Sequence, residues 1–147
     1  MRRIFLAVPF AMILCGSPAL AQIVPGTIRV YVHGVRNGYG DVKCALFTSG
    51  DGFPMDPSKA IQRTSGQIQN GQAVCNFIKV LPGDDYAVAV FHDENGNGVL
   101  DTNFLGIPKE GVGASNDPSS TFGPPKYEEA KFKYSGGIQP VTINLSY

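Results

Sequence analysis

Positive charge is scarce in this chain. Its 12 Lys and Arg residues only match its 12 Asp and Glu residues, and they form no basic cluster. A phosphate backbone is held by clustered Lys and Arg, so this balance argues against nucleic acid as a partner. Histidine is rarer still, with His33 and His92 the two in the sequence. Neither has a nucleophile or an orienting carboxylate beside it, and neither belongs to an H-E-x-x-H pair. A G-x-S-x-G elbow and a C-x-x-C dithiol are also missing. The acidic pairs Asp84–Asp85 and Glu128–Glu129 are sequence neighbours, so their side chains diverge in extended backbone and make no dyad. An enzyme would have to draw its acids from distant strands, and no catalytic residue is assigned.

Long apolar runs are equally few. One stretch, from Ile4 to Cys15, follows the basic start Met1-Arg2-Arg3 and precedes Ala19-Leu20-Ala21. This is the pattern of a secretory signal peptide over residues 1–21, with the mature domain over 22–147. A lipoprotein signal would need a small residue before Cys15, and Leu14 stands there. No later run is long enough to span a membrane as a helix. The expected location is the periplasm or the exterior. Cleavage would remove Arg2 and Arg3 and no acid, leaving 10 basic against 12 acidic residues. Two cysteines would remain, Cys44 and Cys75. An even pair in an oxidising compartment most simply forms one disulfide; two separate buried thiols are the alternative.

What is present is alternation. In "TIRVYVHGV", Ile28, Val30 and Val32 oppose Arg29, Tyr31 and His33. "DVKCALF" puts Val42, Cys44 and Leu46 on one face, and "PVTINLSY" alternates Val141, Ile143, Leu145 and Tyr147 with polar residues. "QAVCNFIKV" and "YAVAVFH" are more apolar and read as central strands. Asn37-Gly38, Asn70-Gly71, Pro82-Gly83 and Gly136-Gly137 are turn signals between them. "PSKAIQR" and "PKYEEAKF" offer a helical turn or two each. Many short strands and glycine turns in one domain-length chain predict an all-β fold. The expected form is a single immunoglobulin-like or transthyretin-like β-sandwich. Tyr86 follows the Pro82-Gly83 turn, either as a tyrosine corner or as an ordinary half-buried strand residue.

The stretch "HDENGNGVLDTNFLGIPKEG", residues 92–111, carries most of the functional content. Asp93, Asn95 and Asn97 recur at every second position, Gly98 stands at the sixth, and Asp101 at the ninth. Calcium takes six to eight hard oxygen ligands, and a D-x-N-x-N-G loop turns three side-chain oxygens and the Val99 carbonyl onto one centre. The twelfth position, a glutamate in an EF-hand, is Phe104, and no helices flank the loop. The expected ligands are therefore Asp93, Asn95, Asn97, Val99 and Asp101, with Glu110 or a distant carbonyl completing the shell. The competing reading is a metal-free polar turn, since Asp, Asn and Gly favour turns unaided. The number of oxygens in phase favours calcium as a structural cofactor. His92 is expected to hydrogen-bond the loop backbone rather than to bind metal. Residues 102–127 have few strand signals; Phe104, Ile107 and Phe122 are expected to pin them to the sandwich, with disorder as the alternative.

The run "YAVAVFHDENGNGVLDTNFLGIPKEGVGASND", followed by "GPPKYEEAKF", resembles the secreted bacterial domain-of-unknown-function 2141 family. The resemblance is specific over residues 81–132 and implies an exported all-β domain, without an activity. The D-x-N-x-N-G-x-x-D core is also similar to calcium-binding B-type repeats of surface adhesins, which implies ligand roles for Asp93, Asn95, Asn97 and Asp101. The expected function is a non-enzymatic binding or envelope-associated module whose partner is a protein or glycan of the envelope. Two alternatives stand beside it: a periplasmic hydrolase using acids near residues 93–110, and a structural subunit that pairs by strand addition.

Overall fold

The computed structural model describes residues 22–119 and 122–147. The expected signal peptide, residues 1–21, lies outside them. Among the described residues eight strands form: β1 (Gly26–His33), β2 (Asp41–Phe47), β3 (Gln62–Gly66), β4 (Gln72–Val80), β5 (Asp85–Asp93), β6 (Val112–Ala114), β7 (Phe132–Lys133) and β8 (Ile138–Asn144). The short helix α1 (Tyr127–Ala130) and a 3-10 turn (Pro57–Lys59) fall in the two runs expected to make helical turns. No helix among the described residues is long and apolar enough to cross a membrane.

The strands make an all-β sandwich. One sheet has the order β4-β1-β8, with β1 antiparallel to β4 and parallel to β8. The other has the order β3-β2-β5-β6, and β7 pairs with the start of β5. Period-two alternation sends Ile28, Val30 and Val32 of β1 inward to meet Val42, Cys44 and Leu46 of β2. Phe77, Val88, Tyr134 and Ile143 close this core. Cys44 and Cys75 form the disulfide, which ties β2 in one sheet to β4 in the other.

Tyr86 makes the corner. Its ring is buried, packs edge-on against Tyr134, and its hydroxyl donates to the Leu81 carbonyl at 2.8 Å. Burial, reinforced by the nearby charge of Asp84, raises the Tyr86 pKa, so the phenol stays a donor. At the β3–β4 turn, Asn70 and Gly71 both have positive φ, 52° and 72°, as a type I′ hairpin requires.

Two expectations need correction. "QAVCNFIKV" is an edge strand, β4, rather than a central one. Its apolar surplus sits on the outer face, where Val74 and Ile78 are exposed. By contrast β5 is buried on both faces. A second, small core covers the outside of its sheet: Phe53 stacks edge-on against Phe47 and Tyr127, over Ala45, Ala87, Ala89 and Ala130. The second correction concerns residues 102–127. Phe104 and Phe122 are each 95% exposed and Ile107 55%, so none pins the segment. Backbone pairing holds it: β6 joins β5, and Ser115 Oγ accepts from Val88 N at 2.9 Å while donating to the Ala130 carbonyl at 2.6 Å.

Two stability measurements check this framework. Tyr86→Phe leaves the Leu81 carbonyl without its donor, and chemical denaturation should show a loss of about 1–2 kcal/mol. Replacing both cysteines by alanine frees a loop of 31 residues. The loss expected is larger, about 3–4 kcal/mol on the chain-entropy model.

Candidate functional site

β5 ends with His92 and Asp93, both fully buried, and the chain then turns out into the loop that leads to β6. A buried carboxylate must find donors, and the loop supplies them. Asp93 Oδ1 accepts from Asn97 N at 3.1 Å and Oδ2 from Gly98 N at 2.8 Å. Gly96 and Gly98 have positive φ, 71° and 80°, which lets the backbone curl back so tightly. Two further side chains cap the same curl: Asn95 Oδ1 accepts from Asn97 N at 3.0 Å, and Asn97 Oδ1 from Val99 N at 2.9 Å. Their amide nitrogens both donate to Asp101 Oδ2, at 2.6 and 3.1 Å. Asp93, Asn95, Asn97, Val99 and Asp101 are thus brought into one hydrogen-bonded loop.

Glu110 is buried and spans the loop's two ends. Its Oε1 accepts from Glu94 N at 2.9 Å and its Oε2 from Asp101 N at 3.0 Å. Asp101 also roots the next feature, a hairpin closed by the Thr102–Pro108 bridge, because its carbonyl accepts from Lys109 N at 2.9 Å.

Beneath the loop lies a second polar layer. His92 Nε2 lies 2.7 Å from the Tyr39 carbonyl, which can only accept, so that nitrogen carries the proton. Nδ1 is then left to accept from the Tyr147 hydroxyl at 2.8 Å, whose oxygen in turn accepts from Arg36 N at 3.0 Å. The Arg36 guanidinium lies 4.3 Å from the centre of the Tyr147 ring and pairs with Glu94. Burial acts to raise the Glu94 pKa, but hydrogen bonds from Asn37 and Arg36 and the Arg36 charge outweigh it, so its carboxyl titrates below the usual range. His92 therefore bonds backbone as expected, but that of the β1–β2 connection rather than of its own loop. The fit is close: a Cβ on Gly40 would overlap the Asp93 carbonyl, and one on Gly111 would strike the Tyr147 ring.

On the other side of Asp93 stands Asp41, its partner across β2 and β5. Lys43 Nζ lies 2.9 Å from Asp41 Oδ2 and 3.8 Å from Asp93 Oδ2. Asp41 Oδ1 is buried and has no hydrogen-bond partner among the described residues. Sequence reasoning missed Arg36, Asp41, Lys43 and Glu94. The register of β2 against β5 is the signal that would have found Asp41. No group of three or more His, Cys, Asp or Glu side chains converges among the described residues; the loop relies on two acids and two amides.

Two surface depressions elsewhere are lined differently. One, at the β3–β4 turn, has Gln67, Gln69, Asn70, Gln72, Ala73 and Val74. The other lies along β8, where its one acid, Asp117, is occupied by the backbone and side-chain nitrogens of Asn144.

Compared with known proteins, residues 30–142 match a family model described as an uncharacterized protein conserved in bacteria, DUF2141. No curated protein and no solved structure matches the chain. The matched span starts within β1 and ends within β8, taking in the whole 93–110 loop. On that evidence the chain belongs to the DUF2141 family of uncharacterized bacterial proteins.

Proposed function

We propose that this protein is an exported, non-enzymatic binding module of the cell envelope, stiffened at one end by a calcium ion in the 93–101 loop. The observation that carries the reading is the gathering of Asp93, Asn95, Asn97 and Asp101 in one loop. The donor set is all oxygen, which suits a hard cation. The orphaned Asp41 Oδ1 beside Asp93 is a second mark of unbalanced negative charge there. Lys43 already covers the strand side of Asp93, so the ion would enter from the loop side and displace the two amide N–H groups from Asp101. Asp93, Asn95, Asn97, Asp101 and the Val99 carbonyl would hold it. Glu110 would act as the brace that keeps Asp101 in place.

A metal-free polar cap is the second reading. It is favoured by the same amide donors, which already satisfy Asp101 without an ion. A hydrolase would need titratable groups to converge in a pocket; the two depressions described above are lined mainly by amide and apolar side chains. Strand addition fits poorly. β3 is short, β4 carries Lys79 at φ 56° where its register with β1 shifts, and β8 contains Pro140. Short edges, bulges, lysines and prolines are how sheets resist a further strand. A protein or glycan of the envelope is the partner this reading calls for.

A melt in calcium and in chelator tests the ion. With a dissociation constant on the order of 0.2 mM, usual for weaker extracellular sites, about 2 mM calcium adds roughly 1.4 kcal/mol. The midpoint should then rise by a few degrees. Asp101→Asn keeps an oxygen but not its charge and should shrink the rise; Asp93→Ala should abolish it. Magnesium should substitute poorly, because it keeps its waters and demands a smaller shell. Equal wild-type midpoints in both buffers, with no calcium heat by calorimetry, would establish the polar cap instead.

A further inference from the structure

Asp93 is held from two sides. Its Oδ2 accepts from Gly98 N at 2.8 Å on the loop side, and Lys43 Nζ lies 3.8 Å from the same oxygen on the strand side. Pairing register explains the second contact. Asp41 stands opposite Asp93 across β2 and β5, and like charges placed opposite one another in a sheet repel. Lys43 follows Asp41 by two residues, so alternation along the strand puts it on the same face, where its ammonium serves both acids. It sits nearer Asp41, with 2.9 Å between Nζ and Oδ2.

That arrangement leaves Asp41 Oδ1 over, buried and with no hydrogen-bond partner among the described residues. A buried acceptor with nothing to accept is costly. Lys43 carries three N–H donors and already touches the other oxygen of that carboxylate. The unused oxygen therefore stands beside a cation that divides itself between two acids.

We propose that Lys43 is a built-in competitor for calcium at the 93–101 loop, and that Asp41 is the acid that takes Lys43 over when the ion claims Asp93. This rests on the calcium reading given above and goes past it, since it assigns the strength of binding to two residues outside the loop. The ammonium and a divalent cation both draw on the Asp93 charge, and at short range they repel each other. The Lys43 side chain is 34% exposed, so water screens part of that repulsion and the chain has room to move. Shifting its Nζ fully onto Asp41 satisfies Oδ1 and lowers the repulsion. The pair keeps Asp93 compensated when calcium is scarce, and it holds the affinity low enough for the ion to leave again.

Calcium titration calorimetry on the whole protein tests it. Lys43→Gln should tighten calcium binding roughly tenfold, by removing a like charge beside the ion. Lys43→Arg keeps the charge and should stay close to wild type. Asp41→Asn should weaken binding, because Lys43 is then left with Asp93 alone; the weakening should be smaller when Lys43→Gln is also present. Lys59→Gln, at the far end of β2, should change nothing. Thermal melts give a second readout. In chelator Lys43→Gln should lower the midpoint, since Asp41 and Asp93 then face each other uncompensated, and calcium should raise it by more than it raises the wild type. Equal calcium affinities for wild type and Lys43→Gln overturn the proposal while the loop reading stands. Equal weakening by Asp41→Asn with and without Lys43 overturns the part given to Asp41. If neither wild type nor Lys43→Gln gives calcium heat, the loop reading fails and this proposal with it; heat from Lys43→Gln alone supports both.

Discussion

The loop end of this sandwich depends on a carboxylate that has nowhere to go. Asp93 is the last residue of a strand buried on both faces, and no solvent reaches it. An ionised group in that position is tolerable only with donors aimed at it, and the backbone of residues 97 and 98 provides two. The loop's shape follows from that demand. Glu110 repeats the device at the loop's rim, joining the amides of residues 94 and 101. Two buried acids thus organise the irregular chain from Glu94 to Asp101 through hydrogen bonds.

Alternation made most of the fold legible. β1 and β8 carry one apolar face each, as does the first half of β2, and period two reveals which side is inward at a glance. Where the pattern fell short, the cause was tertiary. β5 is central, as its apolar run predicts, but the cover on its outer face comes from Phe53 and Tyr127, which lie far from it in the chain. β4 looked central because Val74 and Ile78 add apolar residues to a face that is in fact open. Local composition cannot tell an apolar residue that is covered from one that is not.

The loop was legible in the same measure. Asp93, Asn95, Asn97 and Asp101 could be named from spacing, because the i, i+2, i+4 pattern is a local property of the chain. Asp41, Lys43, Arg36 and Tyr147 reach the site through pairing register and long-range contacts, and spacing says nothing of those. Phe104 shows the opposite error. A large aromatic in a long loop suggests an anchor, but Asn103 had already closed the turn and left the ring outside.

The smaller sheet sets a timetable for folding. β1 lies between β4 and β8, so the first strand of the fold has the last as a neighbour, and their pairing is parallel. During synthesis β1 emerges early and can meet β4 once some fifty residues have followed, yet its other edge stays bare until the final strand appears. Its backbone donors and acceptors on that side remain an open template throughout. Contacts so distant in sequence form slowly, because the whole intervening chain must be brought round first. The chain therefore spends its vulnerable interval with the centre of its core half-roofed, and the partner it most needs protection from is another copy of itself.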